Sequence, residues 1–219
     1  MRIYMHMYLK EYGMKKITVI WMALIFFSGT ALVSAAGPQP MEELKGPIEK
    51  GIAILKDPAF KDDRESQREK IWDLIQTVFD FKAVSIRALA RNWRRLSPEQ
   101  RETFTEEFTE LLKNNYLDKI QGEFQNEEVV FVEQDILSDD KAMVRTLVIR
   151  EKVETPIDYR VQLTDGKWRV YDVNIEGVSM VQNYRKQFND ILAKEKPDAL
   201  IMRLKEKNKA HAEERQKKG

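Results

Sequence analysis

The sequence predicts an α+β protein in which an antiparallel sheet packs against helices. Apolar residues recur every three or four positions as far as residue 122, alternate with polar residues between residues 128 and 175, and return to helical spacing from residue 180. The last change of period falls in WRVYDVNIEGVSMVQNYRKQF, residues 168–188, on either side of Gly177. A chain that runs from helices to strands and back to helices is typical of an α+β layout with an antiparallel sheet.

The first part of the predicted domain, residues 41–122, is helical. Leu44, Ile48 and Ile52 lie at helical spacing in a first helix over residues 41–55, which Asp57-Pro58 ends. A second helix starts near residue 62 and carries its apolar face between residues 71 and 79. Asp80 can cap a third helix over residues 83–93.

The clearest helix start is Ser97-Pro98-Glu99-Gln100. Serine at the N-cap, proline at the first helical position and glutamine at the third predict a capping box. The helix that follows carries a continuous apolar stripe, which predicts that one side of it is buried. The members of this stripe are Phe104, Phe108, Leu111, Leu112, Tyr116 and Ile120.

The sheet is predicted over residues 128–175, with about four strands at residues 129–136, 142–150, 157–163 and 168–175. The second strand is apolar on both faces, so we expect it to be covered on both sides. A turn at Asp165-Gly166 makes the last two strands a hairpin. Gly177 provides the turn from the last strand into the C-terminal helices of residues 180–205, and we expect the charged residues 206–219 to form a flexible tail.

Residues 1–36 are predicted to be a secretory signal peptide, which leaves residues 37–205 as a single domain. Lys15 and Lys16 precede an apolar run, and Ser34-Ala35-Ala36 offers the small residues of a cleavage site near Ala36. Met14 fits the start of such a signal better than the first residue does. A retained membrane anchor is the alternative, although the apolar stretch is at the short limit for spanning a bilayer.

Composition excludes several functions. Residues 1–36 hold four basic side chains and one acidic one, so the remainder carries 33 basic and 35 acidic residues, a net charge of −2. A near-neutral chain is a poor nucleic-acid binder, because clustered positive charge supplies most of that affinity. The chain has no cysteine, and its two histidines, His6 and His211, lie in the predicted signal and tail. The commonest nucleophile–base pairs and transition-metal ligand sets are therefore excluded.

Carboxylate chemistry remains as the weaker enzymatic alternative. We interpret the acidic clusters instead as a solvated helix face and a turn between strands, since acidic runs are usually exposed. The chain also lacks a glycine-rich phosphate loop. We therefore expect no enzymatic activity, no metal and no cofactor. The acidic residues considered are Glu106, Glu107, Glu110, Asp139 and Asp140.

A basic cluster, RALARNWRR, contains Arg87, Arg91, Arg94 and Arg95 around Trp93. One interpretation is an amphipathic helix whose leucine and tryptophan face the core while the arginines face water. The other is a docking or head-group patch for lipid phosphate or an acidic partner, because guanidinium groups bind both anions with two hydrogen bonds. The sequence supports both.

The apolar faces of the sheet and of the long helix also allow two interpretations. They can fill a core completely, which is the usual outcome of such patterns. They can also line a cavity between a curved sheet and its covering helices. Periodicity by itself does not separate a full core from a hollow one.

Two segments carry a family resemblance: RNWRRLSPEQRETFTEEFTELLKNNY, residues 91–116, and GKWRVYDVNIEGVSMVQNYRKQF, residues 166–188. Together with the exported N-terminus, they resemble the MlaC family of periplasmic phospholipid-binding proteins of the toluene-tolerance type. The resemblance extends over residues 44–205. It implies an NTF2-like twisted antiparallel sheet packed with helices around a deep apolar pocket that holds acyl chains.

The resemblance also implies which residues line that pocket. Tyr116, Ile157 and Val178 fall at positions where family members line it. Further pocket residues are predicted from the faces of the strands and of the long helix. These are Phe108, Leu112, Val144, Thr146, Val148, Tyr159, Val161 and Val173.

The function that this resemblance implies is a monomeric periplasmic carrier that moves phospholipid between the outer and inner membranes and so maintains outer-membrane asymmetry. Its implied partners are an outer-membrane lipoprotein–porin complex and an inner-membrane ABC transporter that bears an MCE-domain protein. Phospholipid is cargo here, and no cofactor is implied. A hopanoid is the alternative cargo, and an interaction module without ligand is the alternative function.

Overall fold

The computed structural model describes residues 39–218, which form six α-helices, two short 3-10 helices and a five-stranded sheet. The α+β class is confirmed. The helices are α1 (Pro40–Lys56), α2 (Arg64–Val78), α3 (Phe81–Leu89), α4 (Pro98–Glu123), α5 (Met180–Leu192) and α6 (Pro197–Lys218), with 3-10 helices at Pro58–Phe60 and Ala90–Arg95. The strands are β1 (Glu128–Ser138), β2 (Lys141–Arg150), β3 (Val153–Thr164), β4 (Lys167–Ile175) and β5 (Val178–Ser179).

The predicted signal peptide lies outside the described residues. Within residues 39–218, no helix combines the length and the apolar character needed to cross a bilayer.

The capping box predicted at the start of α4 is confirmed. The Gln100 backbone N–H donates to Ser97 Oγ at 3.2 Å, and the Ser97 backbone N–H donates to Gln100 Oε1 at 2.9 Å. Two backbone donors at the helix start are thereby satisfied, which anchors the longest helix of the described chain.

Replacing Ser97 with alanine should lower the free energy of unfolding by about 1 kcal/mol, the usual cost of losing a serine N-cap. Urea denaturation of the variant measures this change. Ser66→Ala is the matched control and should change stability less, because the Ser66 side chain accepts no backbone N–H and only hydrogen-bonds the Asp63 carboxylate at the start of α2. Equal losses in the two variants would contradict a specific role for the Ser97 cap.

The third helix is shorter than predicted. Asp80 caps it, since its carboxylate accepts the Ala83 N–H at 2.8 Å. The α-helix ends at Leu89, however, because Ala90 takes a φ of 48°, and a 3-10 helix follows. Arg87 and the arginines of residues 91–95 therefore lie on two segments rather than on one continuous helix face.

The sheet is an antiparallel meander in the order β1-β2-β3-β4-β5. Two of its turns place both central residues at positive φ, as two-residue type I′ hairpins require: Asp165 and Gly166 (51° and 74°), and Glu176 and Gly177 (50° and 84°). The second turn corrects one prediction. Gly177 reverses the chain into the short strand β5, and α5 begins only after it.

A β-bulge in β4 changes which residues share a face. Arg160 pairs with Asp172 and Val161 with Val170, so Tyr171 is an extra residue between the paired positions. The period-2 pattern of residues 171–175 predicts that Tyr171, Val173 and Ile175 share one face, and the bulge makes this prediction wrong at Tyr171. Its ring instead lies 4.0 Å from the guanidinium carbon of Arg87.

The prediction that β2 is covered on both faces is only half right. Val144 and Thr146 on one face are buried. Met143 and Leu147 on the other face are only half-buried. In this open sheet the helices pack on one side, so the outer face of β2 remains in contact with solvent.

Two hydrophobic clusters form the core. The helical cluster joins α3, α4, α5 and α6, and Phe108 lies within it in ring contact with Phe104, Tyr184 and Phe188. The sheet cluster joins α1 to the inner face of the sheet and consists of Leu44, Ala142, Val144, Val161, Trp168 and Val170. The side chains between the two clusters determine whether the domain is solid or hollow.

The predicted flexible tail is helical in the structure. Helix α6 continues through Lys218, beyond the predicted boundary at residue 205. Asn208 is buried and donates from Nδ2 to Glu107 O at 2.9 Å and to Glu107 Oε2 at 2.8 Å. Contacts with α4 therefore order a segment whose charged composition by itself predicts fraying.

Candidate functional site

A cavity of about 350 Å³ lies between the helical cluster and the sheet cluster. Its volume falls in the range of ligand sites, roughly 300–1,000 Å³. Its lining is almost wholly apolar and comes from α1, α2, α4 and the inner face of β3 and β4. The lining residues are Leu44, Pro47, Ile48, Gly51, Ile52, Leu55, Ile71, Trp72, Leu74, Ile75, Val78, Phe79, Phe81, Leu112, Lys113, Tyr116, Leu117, Ile120, Ile157, Tyr159, Val173, Ile175 and Met180.

The inner face of the sheet is solid at one end and hollow at the other. Val161 and its partner Val170 are fully buried in the sheet cluster. Further along the same face, the pair Tyr159 and Val173 lines the cavity. A packed core and a cavity, the two interpretations that the sequence leaves open, thus both occur on this face of the sheet, in consecutive cross-strand pairs.

Five of the predicted pocket residues line this cavity, namely Leu112, Tyr116, Ile157, Tyr159 and Val173. The others lie elsewhere. Phe108 belongs to the helical cluster, and Val144 and Val161 belong to the sheet cluster. Thr146 is buried, and its hydroxyl donates to Ile157 O at 3.0 Å. Val148 is half-buried outside the lining.

Val178 does not line the cavity, in contrast to the position implied by the resemblance. It pairs with Ile175 and therefore faces the same side of the sheet. It lies on the two-residue edge strand, however, where 63% of its surface is exposed. The cavity wall on this side ends at Ile175.

The faces of α1 and α2 form the largest part of the lining, and none of their residues is among the predicted pocket residues. Helical spacing predicts an apolar face on each helix, with Ile48 and Ile52 on α1 and Ile71 and Ile75 on α2. The signal was therefore present as helical periodicity. It could not identify a cavity, because a cavity wall and a packed face require the same spacing of apolar residues.

Two tyrosines of the lining titrate abnormally. Burial, reinforced by Tyr184 and the Asp172 carboxylate, raises the pKa of Tyr116 to about 12. Burial also raises the pKa of Tyr159 to about 12, against a smaller opposite effect of the Thr146 hydroxyl. The low polarity of the surroundings disfavours the phenolate. Both phenols therefore stay protonated to a more alkaline pH than an exposed tyrosine does.

These shifts predict that the protein loses stability between about pH 10 and 12. The folded state retains tyrosine protons that the unfolded chain, with a pKa of about 10, has already released. The stabilisation is complete below pH 10 and disappears as the pH rises through the folded pKa. The free energy of unfolding against pH should fall less steeply for Tyr159→Phe, and an unchanged slope would contradict the assignment.

A buried carboxylate holds the junction of β4, β5 and α5 beside the cavity. Asp172 Oδ2 accepts the Ser179 hydroxyl at 2.7 Å, and Oδ1 accepts the Val181 N–H at 3.0 Å. Ser179 Oγ in turn accepts the Gln182 N–H at 3.0 Å. The negative charge lies at a helix N-terminus, where backbone N–H groups stabilise it. This network positions Met180, which lines the cavity.

Lys113 is the one charged side chain in the cavity lining formed by residues 39–218. Its ammonium lies 5.5 Å from the centroid of the Trp72 ring and 3.7 Å from Glu110 Oε2. Its charge is therefore directed toward groups of the protein at the cavity rim. The interior contributes no other charge.

The basic cluster is divided between structural and exposed arginines. Arg87 donates to Gln162 Oε1 at 2.6 Å, and Arg95 donates to Leu192 O at 3.0 Å, so both tie segments of the fold together. Arg91, Arg94 and Arg95 are all exposed. A docking role for this cluster stays a prediction, and Arg91 and Arg94, which take no part in the hydrogen bonds just described, are the arginines available for it.

A domain with an open apolar cavity between a sheet and its covering helices has the architecture of a protein that binds an apolar ligand. The family model described as MlaC protein matches residues 47–206. This chain belongs to the MlaC family, so the resemblance seen in the sequence is confirmed.

Two relatives illustrate the family. The Haemophilus influenzae protein described as intermembrane phospholipid transport system binding protein MlaC is 28% identical over 125 residues, 55% of this chain. The matched part spans only 58% of that relative's length. The structure of a phospholipid-binding protein from Ralstonia solanacearum in complex with a phospholipid has a TM-score of 0.70 and 26% identity, covering 80% of this chain and 99% of that one.

Proposed function

We propose that this protein is a phospholipid carrier that shields acyl chains from water in its apolar cavity while the lipid passes between two membranes. The observation that carries this proposal is the open cavity of about 350 Å³, whose lining is almost entirely apolar. Water is a poor occupant of such a site, because it needs two to four polar partners. The phospholipid bound by the Ralstonia solanacearum relative supports acyl chains as the occupant.

The energetic requirement on a carrier fits this site. Each methylene removed from water contributes roughly 0.8 kcal/mol, so two long acyl chains represent on the order of 20 kcal/mol. A shallow surface patch cannot supply that much burial, whereas a cavity between two layers can. Because the cavity and a membrane interior both accept the chains, small differences in affinity between carrier and membrane partners set the direction of transfer.

The cellular setting belongs to the same proposal. We place the protein in the periplasm as a monomer without enzymatic activity, after cleavage of residues 1–36. Its partners are an outer-membrane lipoprotein–porin complex and an inner-membrane ABC transporter with an MCE-domain protein. The transfer of phospholipid between them maintains the lipid asymmetry of the outer membrane. The location is supported by the apolar segment near the N-terminus, and transport between membranes by the name of the Haemophilus influenzae relative, which describes intermembrane phospholipid transport. The partners, the monomeric state and the role in asymmetry are those that the family resemblance implies.

The test is to express the full chain in a Gram-negative host, purify it from the periplasmic fraction, and extract it with organic solvent. We expect phospholipid in the extract by phosphorus assay and mass spectrometry, and a protein mass that starts at Gly37. An extract without lipid, together with no uptake from labelled vesicles, would favour an interaction module without ligand. A hopanoid in the extract would change the cargo while keeping the carrier mechanism.

A pair of glycines on α1 separates lipid binding from folding. A Cβ atom added at Gly51, which lines the cavity, would meet no atom within 4 Å, and the same holds for a Cβ atom at Gly46, which lies outside the lining. Gly51→Leu should raise helix stability by up to about 1 kcal/mol. The gain at Gly46→Leu should be smaller, because the following Pro47 disfavours the helical conformation of a residue that carries a Cβ atom. Only Gly51→Leu should reduce the bound lipid. Equal lipid content in the two variants would contradict the cavity as the binding site.

A further inference from the structure

A second cavity, the polar pocket, adjoins the apolar cavity at the C-terminal end of α1. Its volume is about 280 Å³. Its polar lining consists of Lys56, Asp57, Lys61, Arg64, Gln67 and Gln121. Neither the fold nor the acyl-chain site accounts for a basic pocket at this position.

The two cavities meet on three helices at once. On α1, Leu55 lines both cavities, and the next residue, Lys56, lines only the polar pocket. On α2, Ile71 lines the apolar cavity, and Gln67, one turn earlier, lines the polar pocket. On α4, Ile120 lines the apolar cavity, and the next residue, Gln121, lines the polar pocket. A ligand with an apolar and a polar end can therefore span both.

The boundary between the cavities is accessible to solvent on two of the three helices. Ile120 of α4 is 37% exposed and Leu55 of α1 is half-buried, whereas Gln67 and Ile71 of α2 are buried. The polar side of the boundary is held in place by amide hydrogen bonds. Gln121 Nε2 donates to Gln67 Oε1 at 3.0 Å and to Arg64 O at 2.9 Å, and Gln67 Nε2 donates to Ile54 O at 3.0 Å.

The charge of the polar pocket favours an anion. Three of its side chains are cationic, and the one carboxylate, Asp57, already accepts the Ala59 N–H at 2.9 Å. Arg64 donates to Gln121 O at 2.7 Å from one nitrogen and retains other donors. Lys56 and Lys61 are exposed and form none of the ion pairs found within residues 39–218.

We propose that the polar pocket binds the phosphate of an anionic phospholipid head group while the acyl chains of the same molecule occupy the apolar cavity. This inference rests on the proposed carrier function. Two lysine ammonium groups and one guanidinium group match a phosphate by charge and by hydrogen-bond donors. They repel a head group that carries its own ammonium. Lys113, the other candidate, is directed toward Glu110 and Trp72.

The test compares two double variants with the same loss of charge. Lys56→Gln with Lys61→Gln removes the free cations of the polar pocket. Lys45→Gln with Lys50→Gln removes two exposed lysines of α1 that line neither cavity. Each protein is incubated with vesicles of equal phosphatidylglycerol and phosphatidylethanolamine, re-isolated, and its bound lipids are quantified by mass spectrometry.

We expect wild-type protein and the Lys45/Lys50 variant to be enriched in phosphatidylglycerol. In the Lys56/Lys61 variant the ratio of phosphatidylglycerol to phosphatidylethanolamine should fall by roughly five-fold for each lysine, the usual size of one lysine contact with anionic lipid. Total bound lipid should change less than this ratio, because the acyl chains supply most of the binding. Added salt should reduce the enrichment in wild type.

Other outcomes overturn the inference in distinguishable ways. An identical lipid mixture in wild type and the Lys56/Lys61 variant removes the head-group role and leaves the carrier function intact. An equal fall in the Lys45/Lys50 variant assigns the effect to overall charge. Binding of inorganic phosphate to delipidated protein, lost in the Lys56/Lys61 variant, assigns the pocket to a free anion. Absence of lipid from every protein contradicts the proposed function itself.

Discussion

Ile157→Trp should lower bound phospholipid by about ten-fold or more while the domain remains folded. Ile157 lies on β3, lines the cavity and pairs with Ile175 across the hollow end of the sheet. An indole at this position takes space that several methylenes of an acyl chain need, and each methylene excluded costs roughly 0.8 kcal/mol. The measurement is lipid phosphorus per protein after purification, with circular dichroism to check the fold.

The matched control is Val153→Trp on the same strand. Val153 is 65% exposed and lies outside the cavity lining, so its replacement adds the same ring without filling the cavity. Lipid content should be unchanged in this variant. If Ile157→Trp retained its lipid and instead lost the 1–3 kcal/mol typical of overpacking, the region would be a packed core and the cavity assignment would be wrong.

Phe108→Ala should have the largest effect on stability, a loss of about 3–5 kcal/mol. Phe108 is fully buried, and its ring centroid lies 4.9 Å from that of Tyr184 and 5.1 Å from that of Phe188. Removing the ring deletes these edge-to-face contacts and leaves a cavity among α3, α4 and α5. Urea denaturation at neutral pH measures the change.

The same variant also tests whether Phe108 takes part in lipid binding. Because this side chain does not line the apolar cavity, the folded fraction of Phe108→Ala should still carry lipid. Phe131→Ala makes the same chemical change at a half-buried position on β1 and should cost less stability. A Phe108→Ala variant that is stable but carries no lipid would show that Phe108 belongs to the lipid-binding site.

Local signals in the sequence predicted most of the secondary structure. The Ser97 capping box, the Asp80 cap and the Asp165-Gly166 turn each depend on hydrogen bonds or backbone angles within a few residues, and all three occur as predicted. The differences between the predicted and the observed structure come from contacts between segments that are far apart in the sequence. Contacts with α4 order the end of α6, and a bulge at Tyr171 changes the facing of β4 through its register with β3.

The cavity shows the limit of such signals. Tyr159 and Val161 have the same alternation and the same facing on β3, yet Tyr159 lines the cavity and Val161 is buried in the sheet cluster. The difference lies in what the helices place opposite each residue: Leu44 of α1 packs with Val161 in the sheet cluster, whereas Ile52 of α1 and Ile75 of α2 line the cavity together with Tyr159. The residue pattern of β3 contains no information on the distance between this strand and the helices that cover it.

The sequence by itself determined the α+β class, the positions of the main helices and strands, and the membership of the MlaC family, because period, caps and turns are properties of short segments. Only the tertiary structure decided which apolar faces enclose space, that Val178 lies at the exposed edge, and that a basic pocket adjoins the cavity. These features depend on distances between segments far apart in the chain. Hydrophobic patterning fixes which side of a segment is buried and leaves open what it is buried against.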